Sequence, residues 1–221
     1  MDLIEVRTAE GLTGHGEGLW CEDLVRPRPE LVVGRSAFEV ESIFEALAAS
    51  GETPGGLDIA IWDLIGKALE MPASRVLGKP YRTAVQVRGS LRESKSAPVA
   101  GGLSLPLATL VGDLVQHREV DIAVQDVARC GLTGLRRLAY LCWVFRVRLA
   151  PCCNGTPIGT AAVLHAAACI RPATNAIYPP SVVVVVPGEA DGMMAVPAGP
   201  GLGVEVAPIT GTVYYHAAWR C

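Results

Sequence analysis

The sequence predicts an α/β fold, and three observations carry that prediction. From residue 84 onward, short β-branched runs alternate with helical ones, as in VDIAVQD (120–126) and then GLRRLAYLCW (134–143). Such alternation implies parallel strands joined by right-handed crossovers. Before residue 84 the texture differs: a strand, a glycine-rich turn and two capped helices make an α+β segment. Half of the 221 residues are hydrophobic and 19% are charged, so a large core can be buried and global disorder does not fit.

The elements follow in order. LIEVRT (3–8) reads as a strand and AEGLTGHGEG (9–18) as the hairpin turn after it. Glycines 11, 14, 16 and 18 suit the positive torsions of such a turn. A phosphate loop is the competing reading of this spacing, but no helix opens after it and Glu17 would repel phosphate. SAFEVESIFEALAAS (36–50) is a helix with Ser36 as N-cap, Glu39 completing a capping box and Gly51 ending it. GLDIAIWDLIGKALEM (56–71) is a stronger one, since Leu57, Ile61, Leu64, Ile65 and Ala68 recur at helical spacing and Pro72 stops it. Its Asp58 and Asp63 are five apart, off a common face, so they read as a solvated or capping acid and a packing-edge acid, not as metal ligands. Strands are then expected at 84–90, 97–102, 120–126, 144–150 and 181–187, with helices at 107–117, 134–143 and 159–170. A glycine- and proline-rich tail, GEADGMMAVPAGPGLGVEV (188–206), closes on a short strand.

Composition removes several function classes. A net charge of −3 gives no electrostatic case for nucleic acid, and aromatics at 5% offer little base stacking. The longest apolar run, SVVVVVP (181–187), is far short of a membrane span and reads as a buried strand. The start MDLIEVRTAE shows no basic region leading into an apolar stretch, so no secretory signal is expected. Seven cysteines, with no C-x-x-C pair, suggest reduced thiols in a cytoplasmic protein.

Several segments, taken in order, resemble the enolase superfamily in its mandelate racemase and muconate lactonizing branch. They are VRTAEGLTGHGEG (6–18), GGLDIAIWDLIGKALEMPASRVLGKPYR (55–82), VDIAVQDVARCGLTG (120–134), APCCNGTPIG (150–159) and DGMMAVPAGPGLGVEV (191–206). The resemblance implies an α+β cap, here residues 1–83 completed by the tail 190–221, over a TIM-like barrel, here residues 84–189. That stretch is too short for eight strands, so the barrel is expected to be incomplete, lacking about three central βα units. The gap falls at LRESKSAPVAGG, which runs from the first barrel strand into what looks like the fifth.

The chemistry the resemblance implies is abstraction of a proton beside a carboxylate, with Mg²⁺ stabilising the enediolate. GLDIAIWDLIGK and VARCGLTGLRRLA look more like the sugar-acid dehydratase relatives than the muconate ones, so the resemblance implies a dehydratase or epimerase acting on a small sugar acid. The family's Lys-x-Lys base and two carboxylate ligands belong to the strands expected to be missing. The place of the third ligand is Gly102. Asp126 fits the aspartate that orients the family's catalytic histidine, while the histidine's own place holds Cys152. Asp126 would raise the thiol pKa further, opposing its use as a base. Adjacent Cys152 and Cys153 point in different directions, His165 reads as a satisfied core residue, and His15 with Glu17 as a surface hairpin pair; His117 ends a helix and is given no role. The expectation is therefore an enzyme by descent with impaired catalysis. The alternative is a non-catalytic remnant that self-associates, as a homo-oligomer, through unpaired strand edges.

Overall fold

The computed structural model describes residues 2–18, 29–51, 54–88, 99–100, 122–153, 156–171, 184–185 and 192–206. Strands β1 (Asp2–Arg7) and β2 (Thr13–Gly18) form an antiparallel hairpin, in register from Asp2↔Gly18 to Arg7↔Thr13. The connecting turn is shorter than expected. It is closed by Thr8 N–H donating to the Leu12 carbonyl at 2.8 Å, and Gly11, with φ +90°, is the only glycine of the four that uses a positive torsion. Gly14, Gly16 and Gly18 lie inside β2 instead. A Cβ at Gly16 would stand 2.7 Å from the Ala60 nitrogen, and one at Gly14 2.8 Å from the Leu64 Cβ. These glycines let the strand lie directly on helix α2 (Gly55–Ala68).

Ser36 and Glu39 form the expected capping box, which caps a 3-10 turn at Ala37–Glu39 that runs into α1 (Val40–Ala49). Gly51, φ +84°, follows the helix as anticipated. Helix α2 is buried from Gly55 to Gly66 and ends at Ala68, earlier than the expected 71, because the chain turns at Glu70 with φ 53°; Pro72 instead is the N-cap of the short α3 (Ala73–Leu77).

The later elements are β3 (Ala84–Arg88), β4 (Val99–Ala100), β5 (Ile122–Asp126), α4 (Val127–Phe145), β6 (Arg148–Cys152), α5 (Pro157–Cys169), β7 (Val184–Val185) and β8 (Gly192–Ala195). Strands β3 to β8 make one sheet in the order β4-β5-β6-β7-β3-β8, parallel throughout except for β8 against β3. The expected helix at 107–117 lies outside the described residues. Several boundaries differ from the sequence reading, most of all at α4 and the strand after it. Helix α4 begins at Val127 because Asp126 caps it, and it runs to Phe145, so Val144 and Phe145 are helical rather than the start of a strand. Its stop is Arg146 in the left-handed region at φ 59°, where a glycine would have marked the end in the sequence.

Ile59, Ile61 and Leu64 of α2, Leu132, Leu135 and Leu138 of α4 and Val163 and Leu164 of α5 meet in one core. The strands follow their period of two. Ala123 and Leu149 face that helical core, whereas Val124, Ala150 and Cys152 form a separate apolar cluster.

Candidate functional site at the strand ends

Strands β5 and β6 end side by side, and their register sets Asp126 opposite Cys152, which in turn pairs with Val185 of β7. The structure thus brings together the two residues singled out from the sequence. Asp126 is buried and serves as N-cap of α4, its Oδ1 accepting the Ala128 N–H at 2.8 Å. Burial raises its carboxyl pKa, with the Ala128 amide and Arg129 opposing. Cys152 is buried too, and its thiol is pushed well up, first by burial and then by Asp126 and Cys153. Cys153, one residue on, packs into the helical core instead, as strand alternation requires.

A third acid arrives that the sequence reading left on the surface. Glu17, near the end of β2, is only 5% exposed. Its Oε2 accepts from the Thr156 hydroxyl, and Thr156 is also the N-cap of α5. Burial raises the Glu17 pKa against the Thr156 hydroxyl and Gly159 amide, and Asp126 raises it further. Its Oε1 is buried with no hydrogen-bond partner. Gly159 makes room for it, since a Cβ there would stand 2.8 Å from that oxygen. Glu17 was misplaced because its burial depends on α5, 139 residues away, and no local pattern reports that packing. Only its place in the GHGEG block was a signal.

Its neighbour His15 stays with a different group. The His15 amide donates to Asp63 Oδ2 at 2.8 Å, Lys67 Nζ stands 2.6 Å from the same oxygen, and Glu5 Oε2 lies 3.6 Å from His15 Nε2. Burial, then Lys67, lowers the His15 pKa, while Asp63 and Glu5 oppose. Asp63 also accepts the Leu202 N–H at 2.7 Å, so it is a buried tie between β2, α2 and the tail rather than an acid at a packing edge. Asp58 is not solvated either. It is buried and caps in trans, accepting the Thr133 N–H of α4 at 2.9 Å. His165 is the satisfied core residue expected, with Nδ1 accepting the Ser74 N–H at 3.2 Å and Nε2 3.1 Å from the Leu202 carbonyl oxygen.

At the strand ends, then, two carboxyls and a thiol all have their protonated forms favoured by burial, and the described part of this site holds no imidazole.

Residues 79–209, more than half of the chain, match the family described as enolase C-terminal domain-like, and the chain belongs to that family. Over 110 residues it is 30% identical to the D-xylonate dehydratase of Haloferax volcanii, a match covering 43% of this chain and 26% of that protein. Over 153 residues it is 24% identical to the D-galactonate dehydratase of Klebsiella pneumoniae, covering 58% of this chain and 40% of that protein. The chain therefore spans less than half the length of these curated relatives. In fold it is similar to the mandelate racemase/muconate lactonizing enzyme of Jannaschia sp. CCS1, with a TM-score of 0.63 at 15% identity, over 92% of this chain and 89% of that one.

Enolase-superfamily members generally use Mg²⁺, a hard cation that takes oxygen ligands in octahedral array. The described residues do not fit it. No group of three or more His, Cys, Asp or Glu is placed among them to hold a metal ion. At the strand ends one Asp126 oxygen accepts an amide N–H, and its neighbour Cys152 offers a soft sulfur whose pKa burial raises. The ligand position at Gly102 lies outside the described residues. None of the described helices is long and apolar enough to cross a membrane.

Proposed function

We propose that this chain descends from Mg²⁺-dependent sugar-acid dehydratases or epimerases and no longer carries out their α-proton abstraction. The observation that carries this reading is the pairing of Asp126 with Cys152 at the ends of β5 and β6. An aspartate that would orient a catalytic imidazole faces a buried thiol instead, and burial together with that aspartate keeps the thiol protonated. The dehydratase homologues support a sugar acid as the ancestral substrate, and the incomplete strand set read from residues 84–189 supports loss of the remaining base and ligands.

The test is a panel of D-xylonate, D-galactonate and D-mannonate with and without Mg²⁺, following formation of the keto acid and thermal unfolding in parallel. A metal site filled at 100 times its Kd would add about 2.7 kcal/mol. In a chain of this length that raises the midpoint by roughly 5–11 °C. The expected result is no keto acid above background and no such shift. Mg²⁺-dependent keto acid formation would overturn the proposal.

A second reading concerns assembly. Among the described residues the six-stranded sheet ends at β4 on one side and β8 on the other, and β8 is mostly exposed. This supports self-association through a strand edge, with a homo-oligomer as the product.

A further inference from the structure

Among the described residues the buried side-chain polar atoms without a hydrogen-bond partner belong to Glu17, Gln125 and Arg129, and Glu17 is the one acid. It stands where two elements distant in sequence meet, the end of β2 in the hairpin and the first turn of α5. Its Oε2 accepts from the Thr156 hydroxyl, which has no second proton to give. The Gly159 amide donates to Thr156 Oγ1 at 3.1 Å, and Oε1 is left without a donor. The space for Oε1 exists because position 159 is glycine: a Cβ there would stand 2.8 Å from this oxygen and 3.2 Å from the Cys153 Cβ. Among the described residues no side-chain cation forms an ion pair with this carboxyl.

We infer that Glu17 is a pH-sensitive latch: protonated, it holds the first turn of α5 against the hairpin, and ionised, it lets that turn open. Ionisation spreads charge over both oxygens, and Oε1 would carry its share in a buried place with nothing donating to it. The protonated carboxyl leaves a neutral group there and keeps the bond to Thr156. Burial is the largest influence on this proton and favours keeping it. Asp126 at the end of β5 acts the same way, while the Thr156 hydroxyl, the Gly159 amide and the amino-terminal charge oppose. Arg129 of α4 acts on Asp126, and β6 faces the carboxyl with the Cys153 thiol. The hairpin's Glu5 and His15 pair with each other, and α2 meets this end of β2 through Gly56 and Ala60, which carry no charge. The sign follows: the closed turn holds the proton more tightly than the open one. Closure is therefore complete below the ordinary carboxyl value of 4.5 and is lost as pH rises through the raised value. Thr156 follows shortly after Cys152 in the chain, so the latch acts at the rim of the strand-end site.

The experiment is hydrogen exchange of the full chain from pH 4.5 to about pH 8, with the intrinsic rates divided out. It is read at the Thr160 amide, which donates to the Thr156 carbonyl at 2.9 Å, relative to the Leu164 amide deeper in the same helix. The ratio removes any global change of stability with pH. The expected result is a fall in relative protection of at least about fivefold across that range in the wild type. In Glu17→Gln, which still offers Thr156 an acceptor but does not titrate, the change stays within about twofold. Gly159→Ala sets its methyl against Oε1, the far end of a flexible side chain, and should displace the carboxyl while the helix stands. Thr160 is then poorly protected at every pH. If Glu17→Gln does not fold, Gly159→Ala decides. A flat wild-type profile, an equal fall in folded Glu17→Gln, or wild-type protection of Thr160 at pH 4.5 in Gly159→Ala would overturn the latch.

Discussion

Asp58 sits on α2 with its carboxylate turned into α4. Thr133 donates to it twice, from the backbone N–H at 2.9 Å and from the hydroxyl at 2.5 Å, and that hydroxyl accepts the Trp62 indole N–H at 2.9 Å. The reason lies at Gly131, whose φ of 66° breaks α4 so that a second helical run starts beyond it without a cap of its own. Asp58 supplies the cap from another helix, and a Cβ at Gly131 would stand 2.7 Å from the Asp58 Cβ. Burial dominates the titration and pushes the Asp58 pKa up to about 7 from 3.8, the Thr133 bonds and Arg137 opposing. The sign follows directly. The folded state holds the Asp58 proton more tightly than the unfolded chain, so the stability it contributes is complete below pH 4 and is lost as pH rises towards 7. The loss is on the order of 4 kcal/mol. Asp58→Asn keeps the shape and can donate to the Thr133 hydroxyl without titrating. Urea unfolding at several pH values should show wild type losing stability relative to Asp58→Asn from pH 4 to 7, and parallel curves would refute the assignment. The sequence told part of this. A spacing of five sends Asp58 and Asp63 to different faces, as observed, but the partners that bury each are remote in sequence and leave no local trace.

At the scale of elements, most of the described strands and helices were legible from their apolar patterns, caps and breakers, and the errors fall where backbone geometry is set by tertiary contact. Glycine has two uses, positive φ and close approach, and a sequence does not say which applies. The GLTGHGEG glycines were all assigned to the first use, whereas Gly14 and Gly16 serve the second, letting β2 lie on the backbone of α2. The two uses differ in cost. Gly16→Ala drives a methyl into the Gly56 carbonyl and to 2.7 Å from the Ala60 nitrogen, backbone atoms that cannot step aside. It should lower stability by about 3 kcal/mol or more, as overpacking against a rigid wall does. Gly11→Ala meets nothing within 4 Å and bears only the positive-φ penalty. That penalty is about 1 kcal/mol. Chemical denaturation of both variants gives the comparison, and a reversed order would mean that β2 can lift from α2 without loss. The same packing explains the candidate site: Asp126 and Cys152 could be read from strand ends, while Glu17 reaches them only because glycines hold its strand down on α2 and Gly159 leaves it space on α5.

For the whole molecule the question is what two exposed features of the described residues do in solution. One is β8 at the end of the sheet, where Met193 is 67% exposed and a Cβ at Gly192 would meet nothing within 4 Å. The other is the aromatic wall on α4, with Tyr140 64% exposed. Both are routes to association, but by different physics. An edge strand offers unpaired backbone donors and acceptors, which a charged side chain on the edge discourages. The α4 surface offers the apolar area of Tyr140 and Trp143, bordered by Arg136 and Arg171. Light scattering across a wide concentration range separates them. If β8 is the contact, the average mass rises with concentration in wild type and in Tyr140→Lys, and stays at that of the monomer in Met193→Lys. If α4 is the contact, the two variants exchange behaviour. A mass that stays monomeric for wild type throughout refutes assembly through either surface, and the self-association reading with it.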